Sequence, residues 1–434
     1  MENLCQNLNF FKNHKPMKNN NLTVGLVFLT FFVISFLTNI MGPLIPDIIN
    51  SYKLSLGMVG FLPFSFFAAY GVMSTSAGVL LEKYREKKVM AFSFLMAALG
   101  SLLFGLFPYY SMALVSLFLI GIGMAALQVA INPLLRVSGG EKHFAFNSVM
   151  AQLFFGLASF LSPLVYSYLV TNIKHDGTNS NAFLEILSKL VPENLNWVSL
   201  YWIFAITSLA MVVIILLFKF PKFELEETEK AGTWSVYKDL LKNKTVLLFF
   251  FGTFAYVGTE QGIANWMSKF LSDYHGYDPQ TIGAEAVAYF WGLLTAGCLL
   301  GLLLLKFMDS RKVLILFTTS AIICLTIALF GSAKMSLYAF PLSGFALSVM
   351  WSIVFSLALN SLESNHGAFS GILCTGIVGG AVMSLIIGKL GDVIGLRFAM
   401  TLLFITLGYI LSMGFWAKPL ITNATINLKK VKEN

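Results

Sequence analysis

The chain has 434 residues, 57% of them hydrophobic and 12% charged, with a formal net charge of +8. Soluble domains carry about 25% charged residues, so composition excludes a water-facing surface over most of this chain. The basic residues gather at the ends of apolar runs instead of forming one patch, which argues against nucleic acid as a partner and for a lipid bilayer.

A membrane can be crossed only by helices or by closed barrels. Barrel strands alternate apolar and polar over about 10 residues, whereas the runs here are long and continuous, so the expectation is an all-α polytopic protein. In chain order, a polar tail (1–21) precedes a first span at 22–49, in which Asn39 stands before Gly42-Pro43-Leu-Ile-Pro46, a stretch that should loosen the helix. The second span is read at 56–81, the third at 89–107 and the fourth at 110–135. In the fourth, Gln128, Asn132 and Arg136 recur at i, i+4 and i+8 on one face, and Pro133 crowds the carbonyl of Val129. The fifth span (145–170) carries Gln152, and the stretch 171–196 holds Phe183, Leu184, Ile186, Leu187 and Leu190 in the pattern of a short surface-lying amphipathic helix. After a sixth span at 197–218, the linker 219–244 carries six lysines and four glutamates plus Asp239. The seventh span (245–271) contains Tyr256, Glu260, Gln261, Asn265 and Trp266, and the remainder are read at 282–305, 313–331, 335–360, 367–390 and 397–417, before a tail at 418–434.

Orientation follows from the basic residues. With the N-terminus inside, 22 of the 29 lysines and arginines fall on the cytoplasmic side, which predicts cytoplasmic termini and linker. The expected domains are therefore a six-helix bundle over 22–218 and a second over 245–417. The halves echo each other. Gly78-Val-Leu-Leu-Glu-Lys-Tyr-Arg-Glu-Lys-Lys88 follows the second span, and Gly301-Leu-Leu-Leu-Leu-Lys-Phe-Met-Asp-Ser-Arg-Lys312 follows the eighth.

Polar groups inside a membrane are costly and are functional candidates by default. Glu260 has no basic residue nearby in sequence, so its carboxylate must be protonated, paired across helices or bound to a cation; it is the coupling-ion candidate. The substrate-binding candidates are Asn39, Gln128, Asn132, Gln152, Tyr256, Gln261, Asn265 and Trp266. Amides both donate and accept, which suits sugar hydroxyls. Tyr289, Trp291 and Trp351 could stack on a substrate, although packing is the commoner use of an aromatic at helical spacing. No histidine has a metal-ligand partner at i+4, the four cysteines lack metal-like spacing, and no phosphate-cradling loop is present. The chain is thus expected to be neither an enzyme nor dependent on a cofactor.

The paired glycine–basic loops resemble the motif of the major facilitator superfamily and its fainter C-terminal copy. That resemblance implies two pseudo-symmetric six-helix bundles with substrate held between them near the midplane. Gln128-Val-Ala-Ile-Asn-Pro133, Tyr256-Val-Gly-Thr-Glu260, and Gly376-Ile-Val-Gly-Gly-Ala-Val382 followed by Gly388-Lys-Leu-Gly-Asp392 resemble the fucose–glucose/galactose permease family of sugar:cation symporters over about 25–415. Membership implies hexose transport by alternating access across the bacterial cytoplasmic (inner) membrane, with Na⁺ or H⁺ as coupling cation and a monomer as the working unit. Gln152 stands where that family has a fifth-span glutamine. The chain departs from the family's proton-coupled fucose permeases at Gly42, Gln128 and Phe155, where those have aspartate, glutamate and asparagine. The acidic pair of that relay is absent, which leaves Glu260. A carrier exporting an amphiphilic compound is the competing reading, since 41 phenylalanines and 18 methionines would also line an adaptable cavity.

Overall fold

The structure is a computed structural model that describes residues 21–139, 144–220, 234–363 and 365–420. Most of both tails and part of the linker lie outside the described residues. Among the described residues, twelve helices are long and apolar enough to cross a membrane: Asn21–Tyr52, Leu56–Met73, Lys83–Leu106, Tyr110–Ile131, Asn147–Asn172, Asn196–Leu217, Lys244–His275, Pro279–Phe307, Ser310–Phe330, Ala333–Leu359, Ala368–Ile394 and Leu396–Trp416. They match the twelve expected from composition, with shifted ends. The third begins at Lys83, inside the basic cluster, where the backbone leaves the helical region at Arg85 (φ 63°). There the Lys87 ammonium donates to the carbonyls of Leu216 and Phe218 at 2.8 and 2.9 Å, capping the C-terminus of the sixth span.

Several spans are broken. The first divides into Asn21–Thr38 and Met41–Tyr52, because Pro43 has no amide to offer the carbonyl of Asn39. The tenth divides into Ala333–Leu347 and Met350–Leu359, and the carbonyl of Ser348 in the gap accepts instead from the Cys298 thiol at 3.2 Å. The eleventh tightens into a 3₁₀ turn over Gly376–Val378. The seventh runs unbroken over 32 residues. Between the fifth and sixth spans lies the amphipathic helix Ala182–Leu190. Its N-cap Asn181 accepts from the Leu184 amide at 2.9 Å, its Leu184 and Leu187 are buried, and Phe183, Ile186 and Leu190 face outward.

Antiparallel spans place Asn21, Leu217, Lys244 and Trp416 at one end of the bundle, the near end, and Tyr52, Asn172, His275 and Ile394 at the other, the far end. The first six spans meet the last six closely at the far end. A Cβ on Gly42 of the first span would lie 2.2 Å from the Ala264 carbonyl oxygen of the seventh, and one on Gly388 of the eleventh 2.4 Å from that of Leu56 in the second. The Asp392 carboxylate accepts from the backbone amides of Leu56 and Gly57, each at 2.8 Å, so the N-terminus of the second span is capped from the other half of the chain. Gln280 donates to Asp47 at 2.9 Å across the same seam, and the Tyr166 hydroxyl donates to the other oxygen of Asp47.

Toward the near end the halves part between the fifth and eighth spans. Phe160 packs against Tyr289 and Gly292, and Gly156 against Thr295. One turn further along each helix, Gln152 and Leu299 are exposed. The molecule is therefore sealed at the far end, while toward the near end the fifth and eighth spans part and the second still meets the eleventh at Gly71 and Val378.

Candidate functional site

The seventh span supplies most of the site, and its geometry follows from i, i+4 spacing. The Tyr256 hydroxyl donates to Glu260 Oε1 at 2.6 Å, and Gln261 Nε2 approaches Oε2 at 3.5 Å. Tyr256 and Gln261 are buried, whereas Glu260 is half-buried. No lysine, arginine or histidine forms an ion pair with Glu260 among the described residues. The Tyr256 ring lies 6.0 Å from Trp351 of the tenth span, and Trp351 lies 5.5 Å from Phe355, forming an aromatic wall beside the carboxylate. Cys298 of the eighth span is within electrostatic reach of both Tyr256 and Glu260.

The eleventh span holds this segment in place. A Cβ at Gly379 would lie 2.1 Å from the Phe254 carbonyl oxygen, so only glycine allows the two backbones to meet there. The Gln261 stem packs on Gly380. Further along, Asn265 Nδ2 donates to Ser384 Oγ at 3.0 Å, and the Trp266 indole donates to the Ser384 carbonyl at 3.2 Å. Trp266 has 0% exposure. Asn265 and Trp266 thus bind the eleventh span in this state, while Tyr256, Glu260 and Gln261 form one cluster.

The other candidates are placed differently. Asn39 is buried and donates to Ser159 Oγ of the fifth span at 2.8 Å, while Ser35 donates to the Phe155 carbonyl at 2.6 Å. It fastens the broken first span to the fifth, a role its isolated polarity in the sequence could not distinguish from substrate contact. Gln152 stands at the point where the fifth and eighth spans part. Gln128 is half-buried on the fourth span; the side chain of Asn132 lies outside the described ones. Sequence reasoning missed Asp47, Gln280 and the partners of Asp392. The Gly388–Asp392 motif was visible as a resemblance, but nothing local reveals amides 335 and 336 residues away. A cavity of about 500 Å³ bounded by Asp47, Asn50, Ser51, Trp197 and Gln280 lies on the far side of the seal, apart from Glu260.

Comparison with known proteins agrees with this architecture. Residues 27–380 match the family model of the Major Facilitator Superfamily. A protein of Brucella abortus named glucose/galactose transporter is 30% identical over 402 residues, covering 92% of this chain and 94% of its own length. The L-fucose-proton symporter of Escherichia coli is 23% identical over 386 residues, covering 84% and 86%. Among solved structures, the E. coli fucose:proton symporter FucP superposes with a TM-score of 0.66 at 22% identity, covering 92% of this chain and all of the other. A bacterial homologue of the human lysosomal transporter Spinster, in an inward-facing state, scores higher (0.73) at only 15% identity, covering 92% and 97%. FucP in an outward conformation scores 0.66 at 21% identity, covering 91% of this chain and 98% of its own. The chain belongs to the Major Facilitator Superfamily of membrane transporters.

Proposed function

We propose that this protein is a symporter that carries a neutral hexose-like sugar together with a proton across the bacterial cytoplasmic membrane by alternating access. The observation that carries the reading is Glu260, a carboxylate at mid-span without a cationic partner among the described residues, beside Tyr256, Gln261 and an aromatic wall. A proton fits this site better than Na⁺. A hard cation needs several oxygen ligands, and the groups that meet Glu260 here, the Tyr256 hydroxyl and the Gln261 amide nitrogen, approach it as donors. Relatives named for glucose/galactose transport and for fucose–proton symport support the substrate class and the ion.

The six spans within 22–218 and the six within 245–417 are the two bodies that rock, joined by the linker 219–244. Both termini lie in the cytoplasm, where the basic residues concentrate, so the far-end-sealed form is the inward-facing state. The working unit is the monomer.

The test is uptake of radiolabelled glucose and galactose into proteoliposomes under imposed pH or Na⁺ gradients. A pH gradient should drive accumulation in the parent protein. Glu260→Gln should lose that accumulation and keep sugar counterflow. Absence of saturable, competable uptake of any hexose would overturn the sugar reading, and full gradient-driven uptake by Glu260→Gln would return the glutamate to a structural role.

A further inference from the structure

Trp291 of the eighth span is 4% exposed, and its indole nitrogen is buried with no acceptor among the described residues. Three other indoles are satisfied: Trp266 donates to the Ser384 carbonyl, Trp197 to Ser51 and Trp416 to Ser412, whereas the Trp202 nitrogen on the sixth span shares the orphan state. A buried donor left unpaired costs about 1–3 kcal/mol, so an orphan at this depth needs explaining.

The helix geometry fixes which way Trp291 faces. Successive residues turn by about 100°, and neighbours identify three sides of the span. Tyr289, Gly292 and Thr295 meet Phe160 and Gly156 of the fifth span. On roughly the opposite side, Phe290, Gly297 and Gly301 meet Gly344, Ser348 and Val349 in and around the tenth. Leu300 and Leu303 are exposed on the outer side. The remaining side carries Val287, Trp291 and Cys298 at i, i+4 and i+11. Val287 Cγ2 would lie 3.2 Å from a Cβ on Gly42 of the first span, and Cys298 lies within electrostatic reach of Glu260. Trp291 therefore faces the space between the two halves. Along the eighth span it sits between the far-end seal and the Glu260 cluster.

We infer that the Trp291 indole N–H is a substrate-binding donor, paired with a hydroxyl oxygen of the sugar when the site is loaded. Indole donates and cannot accept, so its partner carries a lone pair, which any sugar hydroxyl offers and a coupling cation does not. The residue thereby reads one hydroxyl of the substrate, while Tyr256, Glu260 and Gln261 lie nearer the open end. The inference rests on the sugar reading given above.

The test compares glucose with its monodeoxy analogues as competitors of counterflow, in the parent protein and in Trp291→Phe. In the parent, removal of one particular hydroxyl should weaken binding by about three- to tenfold, the worth of one net hydrogen bond. In Trp291→Phe, glucose should weaken by the same factor and that analogue should not change, so discrimination at that one position disappears. A benzothiophene isostere of tryptophan at position 291 keeps the ring shape and lacks the N–H; it should behave like Trp291→Phe even if the smaller ring disturbs packing. If every sugar weakens together, or the pattern of discrimination matches the parent, Trp291 is a packing residue and the inference fails. A parent protein that binds no hexose would instead sink the sugar reading beneath it.

Discussion

Asp392 offers the most direct test of the far-end seal. Its carboxylate takes both the Leu56 and Gly57 amides at 2.8 Å, while Ser55 takes the Met58 amide at 3.2 Å, so the first three amides of the second span depend on these two residues. Replacing a helix-capping group costs about 1 kcal/mol. Asp392 stands exposed, so water recovers part of what is lost, and the asparagine oxygen of Asp392→Asn can still serve one amide. The net effect should be about 1 kcal/mol against the sealed state, or about a fivefold shift toward opening. Gly57→Ala attacks the same contact from the other half, since the added Cβ would lie 2.7 Å from Asp392 Oδ2. Spin labels at positions 50 and 393, both exposed at the far end, report the separation by pulsed electron resonance once the native cysteines are replaced. Each variant should add a longer-distance population that the parent shows weakly. Distance distributions unchanged in both variants would refute the latch.

Asn39→Ala removes the bond to Ser159. Polar contacts between membrane helices average about 0.6 kcal/mol and reach about 1.7, so the variant should melt a few degrees lower in detergent. Its sugar affinity should stay within about twofold, and a collapse of affinity at unchanged stability would make Asn39 a binding residue. In the loop before the ninth span, the side-chain hydrogen bond from Arg311 holds the Asp309 carboxyl below its usual range. Its contribution to stability is thus present above the ordinary aspartate range and is lost as pH falls through the lowered folded value. Asp309→Asn should flatten the acid limb of melting temperature against pH, and an unchanged limb would show that the pair contributes nothing.

The count and approximate positions of the spans were legible because the bilayer leaves few alternatives: long apolar runs punctuated by charge are readable one helix at a time. The break at Asn39 was legible for the same local reason, through Pro43. The gap in the tenth span was not, since Ser348 and Val349 carry no proline or glycine, and their loosened backbone is served by Cys298 from 50 residues away. The site divides along the same line. Tyr256 and Glu260 share a turn, and their contact follows from spacing alone. Trp266 and Asn265 share the same helix, yet both are engaged by Ser384, 118 and 119 residues on. Whether a polar residue faces a cavity or a neighbouring span is decided by partners that single-helix periodicity does not reveal.

The contact of Gly156 with Thr295 marks where the fifth and eighth spans cease to touch, and in the rocking motion proposed above it is the fulcrum. Points on either side of it must exchange places as the carrier reverses: the Phe160–Tyr289 contact separates when the far end opens, while Gln152 and its neighbours close together. The contact itself need only rotate. A Cβ on Gly156 would overlap the Thr295 side chain, so the axle is as narrow as a polypeptide allows, and the angle available to each lever arm is correspondingly wide. Bulk added at position 156 would shorten the stroke without touching either gate or the sugar, a purely mechanical way to slow a transporter whose chemistry is intact.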